Sequence, residues 1–216
     1  MNDIEVYRRQ GFGGGFDPVG NVGLLIVDFV NGFADPEAFG GGNIAAAIDR
    51  TVALLAHARR SRWPVAHTRI VFADDGADAN TFSLKVPGLL NLTEANPQSA
   101  IVSELSPHTG ELVVRKCWPS AFAGTNLSAW LTARGIQSLV IAGCVTSGCI
   151  RASVLDAMQL GFRPFIVSDC VGDRAIGPHE ANLFDMAQKC GEVLSLQDLV
   201  ARLASSTEQK SELEKA

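Results

Sequence analysis

Two runs in this sequence are apolar at consecutive positions instead of alternate ones: Val22-Gly-Leu-Leu-Ile-Val27 and Leu139-Val-Ile-Ala142. A strand with one face in water alternates, so a strand that is apolar throughout needs cover on both faces, as in a parallel sheet flanked by helices. Further strand-like runs follow at Pro64 to Ile70, Glu111 to Lys116, Arg163 to Asp169 and Glu192 to Ser195. Segments of helical period separate them. Ile44, Ile48, Val52, Leu55 and Ala58 form one stripe of a helix from Ile44 to Arg60, capped by Asn43 and broken by Trp63-Pro64. Leu127 to Arg134, capped by Thr125 or Asn126 and stopped by Gly135, is a second, and Ile150 to Leu160, stopped by Gly161, a third. Pro178 to Cys190 and Leu196 to Leu203 complete the set. About six such alternations with short connections predict a three-layer α/β/α fold around a six-stranded, mostly parallel, Rossmann-like sheet.

The expected domain is single and spans 1–204, with an N-terminal arm over 1–20 and a polar, frayed tail over 205–216. Glycines in the arm, Gly11 to Gly15, precede the first strand instead of following it, which rules out a dinucleotide fingerprint; an arm of this kind is expected to pack on a neighbouring subunit. The long irregular stretch from Val71 to Val102 reads as a lid or a subunit contact. Its acidic cluster, Asp74 to Asp78, lacks the spacing of a calcium loop and reads as a solvated turn.

Composition narrows the function. A net charge of -5 gives no support for nucleic-acid binding. No apolar run reaches the roughly 18 residues of a membrane span, and Met1 to Gln10 lacks the apolar core of a signal peptide. Five cysteines, an odd number, fit reduced thiols in a cytoplasmic protein better than a disulfide framework. No cysteine or histidine pair has zinc spacing, and His67, mid-strand, reads as a core residue. No metal and no other cofactor is expected.

Three functional groups fall at the carboxyl ends of strands or in the turn beyond, the edge where open α/β sheets bind ligands: Asp28, Lys116 and Cys149. Cys149 follows the turn after the apolar strand stopped at Gly143, where a helix opens, and backbone N–H groups there favour a thiolate. An ordinary carboxylate is a poor base for an ordinary thiol, by about 6 kcal/mol. Burial of Asp28 and an ammonium beside Cys149 would narrow that gap. Gly143-x-x-x-x-Gly148 resembles the start of a phosphate loop, but Cys149 and Ile150 replace its lysine and hydroxyl residue. A serine-hydrolase elbow is absent as well.

Leu24-Leu-Ile-Val-Asp28, Lys116 with Ser120-Ala-Phe-Ala-Gly-Thr125, and Gly143-Cys-Val-Thr-Ser-Gly-Cys149 together resemble the isochorismatase-like cysteine hydrolases, over most of the chain. The resemblance implies a catalytic set of Asp28, Lys116 and Cys149, and a cis peptide at Val145-Thr146 that aims the N–H groups of Thr146 and Cys149 at an oxyanion. Nicotinamidase-like members carry an Asp-x-His metal cluster after the second strand. His67 to Asp74 does not supply it. Isochorismatase itself lacks the cysteine. Ser168 to Arg174, Gly177-Pro-His179, Asn182 to Asp185 and the arm are similar to the N-carbamoylsarcosine and maleamate amidases. That branch implies a clamp of Arg174 and Thr146 on a substrate carboxylate. The expected activity is amide hydrolysis through a thioester, on maleamate first and N-carbamoylsarcosine second, in a homo-oligomer, tetrameric by analogy. The competing class is a non-catalytic binding member of the same fold.

Overall fold

The computed structural model describes residues 3–213. The two apolar runs are neighbours at the centre of its sheet. They form β1 (Asn21–Val27) and β4 (Ile136–Cys144), paired in parallel from Val22 opposite Ser138 to Val27 opposite Gly143. Close approach at the end of this pair requires glycine: Gly143 has φ +128, and a Cβ there would lie 2.1 Å from the Val27 carbonyl oxygen.

In chain order the elements are α1 (Asp3–Arg9), β1, α2 (Asn31–Ala34), α3 (Ile44–Arg60), β2 (Val65–Ile70), α4 (Thr81–Lys85), β3 (Leu112–Lys116), α5 (Leu127–Ala133) and β4. A single π-type turn, Thr146–Ile150, leads into α6 (Arg151–Gln159), then β5 (Arg163–Gly172), α7 (Ile176–Lys189), β6 (Glu192–Leu194) and α8 (Leu196–Leu213). The sheet order is β3-β2-β1-β4-β5-β6 and every pairing is parallel. Strands step outward one way from β1 and the other way from β4, so the order reverses between them. The crevice at their carboxyl ends is the place where such a sheet binds ligands.

Several boundaries differ from the sequence expectation. Strand β5 runs to Gly172, past Asp169, because a register shift lets Val171 and Gly172 pair with Gly143 and Cys144. Helix α7 opens at Ile176, two residues early, which leaves Pro178 in its first turn, where a missing N–H costs nothing. Residues 205–213, read as frayed tail, continue α8; their Glu, Gln, Lys and Leu are good helix formers. Residues 1–2 of the arm and 214–216 of the tail lie outside the described residues.

The arm, expected to pack on a neighbouring subunit, packs on its own chain. Gly13 N–H donates to Gln188 O, Phe16 N–H to Glu192 Oε1, and Val19 exchanges bonds with the Ser138 hydroxyl at 2.8 and 2.7 Å. The Phe16 ring meets Phe165 edge-on.

Candidate active site

Asp28 is the first residue beyond β1, with φ +51, in the left-handed region that a β-strand residue normally avoids. This bend turns the chain sharply: Val30 N–H donates to Asp28 O at 2.7 Å, and the buried Cys144 thiol donates to the same oxygen at 3.1 Å. The carboxylate points into a fully buried space. Thr68, on β2, donates its hydroxyl to Asp28 Oδ1 at 2.6 Å. The other oxygen, Oδ2, faces the Lys116 ammonium at 2.7 Å.

Lys116 ends edge strand β3 and reaches across β2 to make that contact. Its Nζ also donates to Trp118 O and Pro119 O, both at 3.0 Å, and to Cys149 Sγ at 3.5 Å. A buried ammonium is tolerable only when its hydrogens are all accepted, and here they are. Burial pulls the Lys116 ammonium toward deprotonation, but the charges and hydrogen bonds of Asp28 and Cys149 outweigh it and hold its pKa above the ordinary lysine range.

Cys149 lies in the π-type turn before α6, not at the opening of the α-helix itself. Ser153, one turn on, bonds its carbonyl at 2.6 Å and accepts from Ala121 N–H, tying the Ser120–Ala121 loop to the turn. The thiol does not have the lowered pKa that a helix N-terminus predicts. Burial pushes it up to about 12, against the pull of Lys116 and with the push of Asp28, whose carboxylate repels a thiolate and hydrogen-bonds the neutral thiol. The resting state is therefore a neutral thiol beside an ammonium that faces both the sulfur and the Asp28 carboxylate. Moving the proton from sulfur to Asp28 shifts one negative charge across the Lys116 contact and creates none, which is the condition for proton transfer in a dry site.

The expected cis peptide is one residue earlier, at Cys144–Val145. Strand β4 stays paired with β5 through Cys144 opposite Gly172, so the reversal falls on the next peptide. Within the turn beyond, Gly148 and Ile150 N–H both donate to Val145 O, and Ser147 N–H to Asp173. The Cys149 N–H is not used by these bonds.

A cavity of about 470 Å³ opens over the sulfur. Phe33, Phe39, Phe82, Val86 and Leu89 give it apolar walls, and Ser147, Cys149 and Arg174 bring the polar side chains. Phe82, Val86 and Leu89 belong to the 71–102 segment, which thus acts as the cavity wall. Arg174 is exposed at the rim and donates its Nε to Phe39 O at 3.2 Å. Thr146, predicted to share its carboxylate, lies behind the wall. It is fully buried, and its hydroxyl meets His179 Nδ1 at 2.8 Å because the side chain turns toward the first turn of α7. Asn43 takes the Asp173 N–H on Oδ1 at 2.9 Å, so its Nδ2 is the atom facing His179 Nε2 at 3.4 Å. That assigns the ring proton to Nδ1, donated to Thr146. Burial holds the His179 ring below the usual imidazole range, with Asp173 and Glu180 pulling the other way.

Sequence reasoning assigned no role in the site to Thr68, Asn43, Asp173, Ser147 or His179. Among the described residues no group of three or more His, Cys, Asp or Glu side chains is arranged to hold a metal ion. His67 is a core residue bonded to Glu111 at 3.1 Å.

A family model described as an isochorismatase domain matches residues 22–198. The chain belongs to the isochorismatase family. It is 43% identical over 182 residues to a maleamate amidohydrolase of Pseudomonas putida, covering 83% of this chain and 85% of that one. It is 30% identical to an N-carbamoylsarcosine amidase of Arthrobacter, covering 92% and 77%. Among solved structures, an isochorismatase family protein of Desulfovibrio vulgaris superposes with a TM-score of 0.79 at 32% identity, covering 85% of this chain and 98% of that one. The α/β architecture is that of the family, and both curated relatives are named for hydrolysing an amide.

Proposed function

We propose that this chain is a cysteine amidohydrolase that cleaves a small, carboxylate-bearing amide to acid and ammonia, with maleamate as the first substrate. The observation that carries the reading is the buried Asp28–Lys116–Cys149 cluster, with the sulfur opening onto a cavity that bears one cation, Arg174. The 43% identity to a maleamate amidohydrolase supports the choice of amide, and the 30% relative makes N-carbamoylsarcosine the alternative.

In this reading Asp28 takes the proton of the Cys149 thiol, and the sulfur adds to the amide carbon. The Cys149 N–H donates to the oxyanion as it forms. The C–N bond breaks as Asp28 returns the proton to the leaving nitrogen, which departs as ammonia and leaves a thioester. Asp28 then takes a proton from water, the resulting hydroxide adds to the thioester carbon, and the C–S bond breaks. Sulfur regains a proton from Asp28. Lys116 stays protonated and faces whichever of the two partners is negative.

Arg174 suits the spectator carboxylate because its fork can engage both oxygens. A homo-oligomeric state and a cytoplasmic setting belong to the same reading. The exposed Leu84 and Leu90 beside the cavity wall support association, and light scattering on the purified chain reads it.

Ammonia release from maleamate, N-carbamoylsarcosine and their neutral diamide analogues tests the function. Wild type is expected to release ammonia from an acid amide, and Cys149→Ala to fall to background. Equal background rates in both would leave a non-catalytic binding protein of the same fold as the better account.

A further inference from the structure

A carboxylate in an apolar cavity needs more than one donor, and the residue that the resemblance supplies as Arg174's partner is not available. Thr146 has no exposed surface, and its hydroxyl faces His179 on α7. The next residue does face the cavity. Ser147 lines it, half-buried, and among the described residues its hydroxyl has no hydrogen-bond partner. Apart from the nucleophilic sulfur, Ser147 and Arg174 are the polar side chains of a wall that is otherwise Phe, Leu, Val, Ala and Gly.

The two are also held side by side. One carboxylate, that of the buried Asp173, accepts the Ser147 N–H at 2.7 Å on Oδ2 and the Arg174 N–H at 2.8 Å on Oδ1. Asp173 is itself fixed, its own N–H donating to Asn43 Oδ1 at 2.9 Å. Its oxygens are thus used on backbone amides, and among the described residues the Arg174 guanidinium pairs with no carboxylate; only its Nε is taken, by Phe39 O. The guanidinium ends and the serine hydroxyl remain for a ligand.

We propose that Ser147 is a specificity-determining residue that donates its hydroxyl, beside Arg174, to the carboxylate of the bound amide, with Asp173 as the positioning residue that holds the two together. This rests on the reading of the cavity as a site for an acid amide. Its test therefore uses a signal independent of turnover: alkylation of Cys149 by iodoacetate, which carries a carboxylate, against iodoacetamide, its neutral counterpart. Rates are followed by mass spectrometry of the peptide that holds Cys149, and their ratio reports carboxylate recognition.

Ser147→Ala is expected to lower the acetate-to-acetamide ratio about tenfold, the effect of losing one hydrogen bond to a charged acceptor. Ser147→Thr, which keeps a hydroxyl, is expected to hold the ratio. Asp173→Asn, which keeps one acceptor and loses the other, is expected to lower it. Thr146→Val is expected to leave the ratio in place, and in a Ser147→Ala/Arg174→Met double variant the two losses are expected to combine less than multiplicatively, because both act on one carboxylate. An unchanged ratio in Ser147→Ala, or an equal fall in Thr146→Val, overturns the proposal. Ammonia release is scored separately. No ammonia with the ratio effect intact removes the amidohydrolase reading and keeps the carboxylate site; ammonia with no ratio effect does the reverse.

Discussion

Lys116 sets the charge balance of the buried cluster, and the cost of removing it depends on what it leaves behind. Lys116→Met strands the fully buried Asp28 carboxylate, whose Oδ2 faces Nζ at 2.7 Å. Breaking a buried pair from one side costs about 3–5 kcal/mol, whereas replacing both partners is often nearly neutral. Urea denaturation should therefore find Lys116→Met much less stable than Asp28→Asn/Lys116→Met, with neither active. If the double variant is no more stable than the single one, the pair does not carry the charge balance assigned to it. Thr68→Val poses the complementary question. It removes the 2.6 Å bond to Asp28 Oδ1 while keeping the side chain's shape. A hydrogen bond to a charged group contributes about 1.5–3 kcal/mol, so kcat should fall about tenfold or more; unchanged kcat would mean that Thr68 does not orient the base. Asp28, Lys116 and Cys149 were legible in the sequence because each ends a strand or follows its turn. Thr68, Asp173 and His179 were not, since their roles depend on which strand lies beside which and on how one turn leans on α7.

Among the elements, the apolar strands and long helices were legible, because burial on both faces and a 3.6-residue stripe leave direct marks in residue order. Short elements of the 71–102 segment were passed over, although Asn80 caps α4 with a reciprocal bond to Ser83, a signature of the kind that marks a helix start. The junction of β1 and β4 offers the sharpest test at this scale. Gly143→Ala places a Cβ 2.1 Å from Val27 O at φ +128, so either the central pair separates or the backbone rearranges. Loss of more than about 4 kcal/mol is expected, the range of strain and overpacking combined. Gly177→Ala, in the first turn of α7, meets nothing within 4 Å and is expected to stabilise by about 0.4–1 kcal/mol. Equal melting temperatures for the two variants would contradict the close approach of the strands.

At the scale of the whole molecule, acid stability should be governed away from the nucleophile, where α3 meets β2 and β3. Glu111 accepts from Arg59 at 2.8 and 3.0 Å, from His108 N–H at 2.9 Å and from His67 at 3.1 Å. Burial pushes its carboxyl up, but these bonds outweigh burial and bring it down from 4.5 to about 2. His67 is pushed below its usual 6.5 by burial, with Glu111 pulling it up and Arg59 down. The signs agree. Glu111 contributes fully above pH 4.5, and its contribution is lost as pH falls toward 2, because the unfolded chain binds that proton first. Below 6.5 the unfolded chain also protonates the His67 position before the folded chain does, so stability falls there too. Urea midpoints measured from pH 8 to pH 3 should fall throughout. Glu111→Gln should start lower at pH 7 and lack the extra fall below pH 4.5. His67→Phe should instead flatten part of the fall around pH 6, the remainder belonging to His57 and His179, which burial also holds low. A Glu111→Gln curve parallel to wild type between pH 4.5 and pH 3 would show that acid unfolding begins elsewhere.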